Sequence, residues 1–338
     1  TELALAATKF NVALCYQMMG LMEVEGGTDE ALRLYTLIVE ENLVPDYVRS
    51  SLLQKARILY QGGDFAGALA AYEQILADFP DARERHAAKF EMALCHRDLG
   101  RTDTAIDIFQ EIEPESGLLP KAMLEASRLL SEAQDFQGSL AALEKGLNNT
   151  TDARERARFH YMKGRTLIEI EEFEQAVDAL AQAASITDED EVRSGAVYGR
   201  GVSLLKLKRY AEAVADLEPL LQSDNEDLVN SARRMIGLAN LEMGREREAI
   251  EDYTALVKSS TDPRTRVENM IVLSELYYSL KNFAKVEEIC RDIIAMDFPD
   301  EKTEQPYFLK EKAYFLLGDT YNQRNDINSL IATYREAV

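Results

Sequence analysis

Apolar residues along the chain cluster at helical spacing, and within them a small residue returns at a regular interval. Ala13, Ala56, Ala93, Ser127, Gly164, Gly201, Gly237, Ser274 and Gly318 form this first set, with steps of 43, 37, 34, 37, 37, 36, 37 and 44 residues. Twelve residues after all but the first stands a second marker: Ala68, Ala105, Ser139, Ala176, Ala213, Ala249, Val286 and Leu330. Between the two lies a Gly or polar turn, as in Gly62-Gly63-Asp64, Leu99-Gly100-Arg101 and Met243-Gly244-Arg245, often followed by an aromatic such as Phe65, Phe136, Phe173, Tyr210 or Phe283. Four residues past the second marker comes a bulky side chain: Tyr72, Phe109, Leu143, Leu180, Leu217, Tyr253 or Tyr334. Two short helices meeting across small residues, with bulky ones filling the space beside them, account for this pattern. A period in this range predicts stacked helix pairs, and no run of alternating β-branched residues bounded by hairpin turns competes with it.

The register of small residue, Gly turn, Ala, aromatic, Ala and Pro resembles the tetratricopeptide repeat over essentially the whole chain. The resemblance implies an all-α, right-handed α-solenoid of about nine helix-turn-helix repeats, with about eighteen helices in antiparallel pairs. The units fall near 6–45, 49–85, 86–119, 120–156, 157–193, 194–229, 230–266, 267–305 and 306–338, one array from 1 to 338. The sequence departs from the family in lacking Trp. About six extra residues lie near Leu21 to Gly26 in the first unit, and Val286 and Leu330 stand where Ala is usual. An added turn at the start of each first helix explains the long spacing. Asp81-Ala-Arg-Glu-Arg85 and Asp152-Ala-Arg-Glu-Arg156 share a register, and each reads as a D-x-x-E capping box. Pro114 and Pro120 should shorten the end of the third unit, and Pro219 should kink or end a second helix. Pro80, Pro263 and Pro299 read as unit ends, Asp297 to Pro306 as the longest insertion loop, and Asn148 to Thr151 as a helix-to-helix turn.

Thr1 stands within a few residues of the first helix and Val338 inside the last, with no polar capping repeat at either side, so the chain reads as a segment of a longer protein. No run approaches 18 apolar residues, so this portion does not span a membrane. The net charge of −22, from 38 Lys and Arg against 60 Asp and Glu, speaks against a nucleic-acid groove, which needs a basic face. A solvated acidic exterior accounts for most of it. The three cysteines, Cys15, Cys95 and Cys290, have no disulfide or zinc spacing and read as small apolar core residues. The three histidines, His86, His96 and His160, make no ligand pair, and His96 and His160 fall at core or groove positions. No nucleophile motif, phosphate loop or cofactor fingerprint is present; the chain reads as no enzyme and calls for no cofactor or metal.

The resemblance places partner contacts at positions two, five, nine, twelve and thirteen of each unit, on first helices lining a concave surface. With the first marker as position eight, units two to five carry Arg57, Arg97, Lys121, Arg128, Arg158 and Arg165 against Asp98, Glu132 and Glu169. Units six to nine carry Lys206, Arg234 and Lys312 against Glu242, Glu268, Glu275 and Asp319. Tyr60, Tyr161 and Tyr198 offer rigid aromatic anchors among them. Two readings of the arginines stay open: a surface for an acidic or amphipathic segment of a protein partner, or cations paired with neighbouring acids. The Lys and Asn pair at positions five and nine that grips chaperone C-termini is absent, since those positions hold Leu53 and Arg57, Phe90 and Leu94, Leu124 and Arg128. Two functions follow from the resemblance. One is a non-catalytic interaction scaffold, loosely like bacterial cell-envelope assembly and secretion proteins. The other is a sensor, regulatory or targeting arm of a larger protein. The periplasmic side of an envelope and the cytoplasm both accommodate either.

Overall fold

The computed structural model describes residues 1–42, 44–296 and 304–337. It resolves into two compact units, Thr1–Thr166 and Leu167–Val338. In the first, helix pairs follow one another as α1 (Glu2–Leu21) and α2 (Gly27–Glu41), α3 (Pro45–Gln61) and α4 (Phe65–Asp78), α5 (Arg85–Asp98) and α6 (Thr102–Gln110), then α7 (Leu119–Glu132) and α8 (Phe136–Leu147). The ninth helix, α9 (Ala153–Glu169), carries the division, and α10 (Phe173–Ile186) follows it. The second unit continues with α11 (Asp190–Lys206) and α12 (Tyr210–Leu217), α13 (Glu226–Glu242) and α14 (Glu246–Ser259), α15 (Pro263–Ser279) and α16 (Phe283–Ala295), α17 (Glu304–Gln323) and α18 (Ile327–Glu336). Strands are absent among the described residues. The described residues form the expected all-α architecture, with eighteen helices.

The small markers explain the pairing. All nine of the first set are buried, as are all but Leu330 of the second, which is half-buried. At Gly201, Gly237 and Gly318 the bulky residue sixteen positions on sits against the marker. A Cβ on Gly201 would stand 2.6 Å from Cγ of Leu217, and one on Gly237 3.0 Å from the ring of Tyr253. Tyr72, Phe109, Leu143 and Leu180 are fully buried in the same way. In the first repeat the second marker is Ala31, fully buried and eighteen residues after Ala13; the six extra residues carry α1 past the usual helix end and lengthen the connection to α2.

One turn geometry recurs in every repeat. The residue seven positions after the first marker has a left-handed backbone: Gly63, Gly100, Gln134, Glu171, Lys208, Gly244, Lys281 and Asn325, with Glu23 serving the longer first repeat. The next residue donates its N–H back five positions, as Asp64 to Leu59 at 2.9 Å and Asp135 to Leu130 at 2.8 Å. This six-to-one bond closes the first helix by the Schellman arrangement. Asp64, Asp135, Asn282 and Asp326 then cap the second helix by accepting from the N–H of Gly67, Gly138, Lys285 and Ser329. Only three of these left-handed positions are Gly, although an L side chain there costs ~1–2 kcal/mol, offset in part by the ~0.5–1 kcal/mol of extra chain entropy Gly loses on folding. The combined change Gln134→Gly, Glu171→Gly, Lys208→Gly and Lys281→Gly should therefore raise stability by ~2 kcal/mol. A higher urea midpoint checks this; a lower one contradicts it.

Proline positions carry their expected effects. Helix α12 stops at Leu217, and Pro219 lies in a 3₁₀ turn, Glu218–Gln222, whose Leu220 returns to the core. Helix α6 is only 9 residues long, and Pro114 opens a short 3₁₀ turn before α7. Residues 148–152 connect α8 to α9. Three local expectations need correction. Asp152 does cap α9, accepting from the Glu155 N–H at 2.9 Å, but the Glu155 carboxylate takes the Thr150 hydroxyl instead of reaching back. Asp81 caps nothing, because α5 starts only at Arg85 and Glu84 is drawn to Arg49 at 2.9 Å. Pro263 opens α15 rather than closing a unit, where its missing N–H does no harm. Of the expected insertion loop, 297–303 lies outside the described residues, and Glu304 to Pro306 begin α17.

Candidate interaction face

Arg57 and Tyr60 lie on α3, Arg97 on α5, Lys121 and Arg128 on α7, Arg158, Tyr161 and Arg165 on α9. All eight belong to the unit Thr1–Thr166. Helical spacing puts their positions on one side of each first helix, and the cross-helix bonds show that adjacent first helices bring these sides together. Tyr198 belongs to the other unit. It sits on α11, half-buried against the core of Leu217, Ala232 and Ile236, and burial raises the pKa of its phenol.

On α3 and α5 the cations are already matched. Arg57 reaches Glu91 through Nη2 at 2.7 Å and Nε at 3.1 Å. Glu91 also accepts from the hydroxyl of the buried Tyr72 at 2.5 Å. Arg97 clasps Asp98 through Nε at 2.7 Å and Nη2 at 3.1 Å, and Nη1 reaches Glu125 at 3.0 Å. Tyr60 donates to Asp98 at 2.5 Å and accepts from Arg97 Nη2 at 3.1 Å. Glu125 also takes Arg128 at 3.1 Å, and Arg128 takes Glu132 at 2.7 Å. The result is a ladder of alternating charge from α3 through α5 to α7.

The electrostatics follow this geometry. The hydrogen bonds from Arg97 hold the Asp98 carboxyl below its usual range, and those to Asp98 push Arg97 up. Burial, then the bond to Asp98, pushes the Tyr60 phenol up to about 12. Farther along, the face is more open. Lys121, Arg158 and Arg165 are exposed, and the Arg165 guanidinium lies 5.8 Å from the ring centroid of Tyr161, within cation–π range. Among the described residues neither Lys121 nor Arg165 makes an ion pair.

Glu91 and Glu125 are the residues that the sequence register did not single out. Both sit at position six, just outside the contact positions, and with them the face carries six basic residues against five acidic ones. The signal was available: Arg57 and Glu91 are 34 residues apart, and Arg97 and Glu125 are 28 apart, near one repeat.

The thiols and imidazoles have structural settings. Cys95 and Cys290 are buried, and burial pushes each thiol up to about 12, which leaves them inert. Cys15 is exposed, contrary to the core reading. Its equivalent Cys95 packs among Ala68, Tyr72 and Ile75 of the preceding repeat. His96 and His160 are buried, and burial lowers both pKa values. Among the described residues no three His, Cys, Asp or Glu side chains could hold a metal ion, and no helix is long and apolar enough to cross a membrane.

Comparison with known proteins decides the family. Tetratricopeptide repeat models match residues 53–120 and 194–263, and again 157–190 and 311–338, together more than half of the chain. The chain belongs to the tetratricopeptide repeat family. No curated protein sequence matches it significantly. Among solved structures, the C-terminal part of a tetratricopeptide repeat protein from Cytophaga hutchinsonii matches 76% of this chain and 98% of its own, at 13% identity and a TM-score of 0.61. A signal-transduction ATPase with a tetratricopeptide repeat sensor from Pyrococcus horikoshii matches 97% of this chain and 52% of its own, at 15% identity and 0.58. The apo form of RapI matches 99% and 88%, at 15% identity and 0.57. These likenesses establish the tetratricopeptide fold, and the family points to interaction with proteins.

Proposed function

We propose that this tetratricopeptide array is a non-catalytic interaction scaffold, and that the first-helix face of the unit Thr1–Thr166 receives an acidic or amphipathic segment of a partner protein. The observation that carries the reading is the contrast along that face. Arg57 and Arg97 are bound to neighbouring acids, whereas Lys121 and Arg165 present exposed charge, Arg165 against the half-buried ring of Tyr161. A cationic patch on a chain of net charge −22 attracts what the rest of the surface repels. Arginine there binds carboxylates through two parallel N–H groups, and tyrosine adds contact area at small entropic cost. Lys121→Glu with Arg165→Glu should weaken binding of an acidic helical peptide at least tenfold and flatten its salt dependence. Unchanged affinity, measured by fluorescence anisotropy from low to physiological salt, would sink the reading.

A further inference from the structure

The register of the first helices defines a smaller recognition cell within that face, and the inference rests on the proposed reading of the face. Adjacent first helices are joined along this face: Arg97 Nη2 reaches Tyr60 Oη at 3.1 Å, both at position twelve, while Arg57 at position nine and Arg97 reach acids at position six, Glu91 and Glu125. Helices α7 and α9 share one core, in which Ala122, Met123, Ala126 and Phe159 are buried together and Leu124 and Met162 pack against them. Both helices carry the same pattern, with Lys121, Leu124 and Arg128 on α7 and Arg158, Tyr161 and Arg165 on α9 at positions two, five and nine. Two cationic levels, seven residues apart on both helices, bracket two half-buried apolar side chains.

We infer that this cell reads an amphipathic α-helix bearing acidic residues at i and i+7 with apolar residues at i+3 and i+4. Seven residues of helix rise about 10 Å, so the two cationic levels and two such acids have the same separation. Apolar residues at i+3 and i+4 fall on the same side of the ligand helix, between its acids and over Leu124 and Tyr161. An extended segment does not fit. About 10 Å of strand is three residues, and residues three apart point to opposite sides. Three of the four cations are exposed, and the Arg128 side chain is 41% exposed, with one Nη bound to Glu125 and the other to Glu132. The neighbouring cell on α3 and α5 lacks this design. Its position two holds Ser50 and Ala87, its position nine Arg57 and Leu94, and Arg57 is taken up by Glu91. Arg57 and Arg97 therefore position the helices, and Lys121 and Arg165 meet the ligand.

The test uses the full chain and three labelled helical peptides of one composition or its neutral analogue. One carries Glu at i and i+7 around a Leu pair, one carries the same residues with the Glu spaced by five, and one has Gln in place of Glu. Anisotropy titration should show the seven-spaced peptide binding at least tenfold more tightly than either other. Lys121→Gln with Arg165→Gln should abolish that advantage, whereas Arg57→Gln with Arg97→Gln should change it less than twofold. Equal binding of the two acidic peptides overturns the seven-residue cell and leaves the acidic-partner reading standing. So does a loss in the Arg57 and Arg97 variant as large as in the Lys121 and Arg165 variant, provided its helicity and melting are unchanged. Binding of no acidic peptide overturns both.

Discussion

Gly201→Leu and Gly146→Leu should each destabilise the protein by ~3 kcal/mol or more, at the upper end of what overpacking does in a filled core. At Gly201 the obstacle is Leu217, fully buried on α12, whose Cγ would lie 2.6 Å from the new Cβ. A branch carbon cannot swing aside as a flexible chain end does, so α11 and α12 must separate. At Gly146 the new Cβ would stand 2.1 Å from Cζ of Phe159, a ring with no exposed surface and no room to rotate away. The damage should be local, because each repeat touches mainly its neighbours. Hydrogen exchange should quicken across α11 and α12 in the first variant and across α8 and α9 in the second, with α3 and α4 unaffected in both. Thermal melting identical to the parent in both variants would contradict the packing register.

The second large effect is expected at Glu91. Its carboxylate is the acceptor for the Tyr72 hydroxyl, on a residue only 1% exposed, and the partner of Arg57. Burial and this hydrogen bond both raise the pKa of Tyr72, so the phenol stays protonated and needs an acceptor. Glu91→Leu leaves that donor unpaired in the core, which costs ~1–3 kcal/mol, while the half-exposed Arg57 regains water. We expect a loss of ~2 kcal/mol. Tyr72→Phe in the Glu91→Leu background should restore most of it, because no donor then remains to satisfy. A double variant as unstable as Glu91→Leu alone would show that the bond to Tyr72 is not the source of the loss.

These residues also show what the sequence discloses and what it withholds. The pairing of helices was legible because close approach of two backbones leaves room only for Ala, Ser or Gly, and Ala13, Ala56 and Gly201 repeat that requirement at a measurable interval. Pro219 was legible for a similarly local reason: a residue without an N–H cannot continue α12. The left-handed turns were legible at Gly63, Gly100 and Gly244, but Gln134 and Lys208 carry the same geometry under residues that give no signal of it. Gly146 makes a closer approach than Gly201 and belongs to neither marker set, since it faces Phe159 of the next repeat rather than its own partner helix. Asp81 and Asp152 share five residues of sequence and differ in structure because Arg49 engages Glu84 beside one of them. The charge pairing along the proposed face was not legible. Whether Arg57 is open to a partner depends on Glu91, 34 residues away, and a position-by-position reading of one helix does not weigh the acid on the next.

The most direct measurement places a photo-crosslinking phenylalanine at Tyr161 on the first-helix face and, in a separate variant, at Lys145 on the second helix α8, in the full chain with a bound acidic helical peptide. The account predicts a strong crosslink from position 161 that is lost with Lys121→Glu and Arg165→Glu, and none from position 145. A crosslink from position 145 with none from position 161 would contradict it.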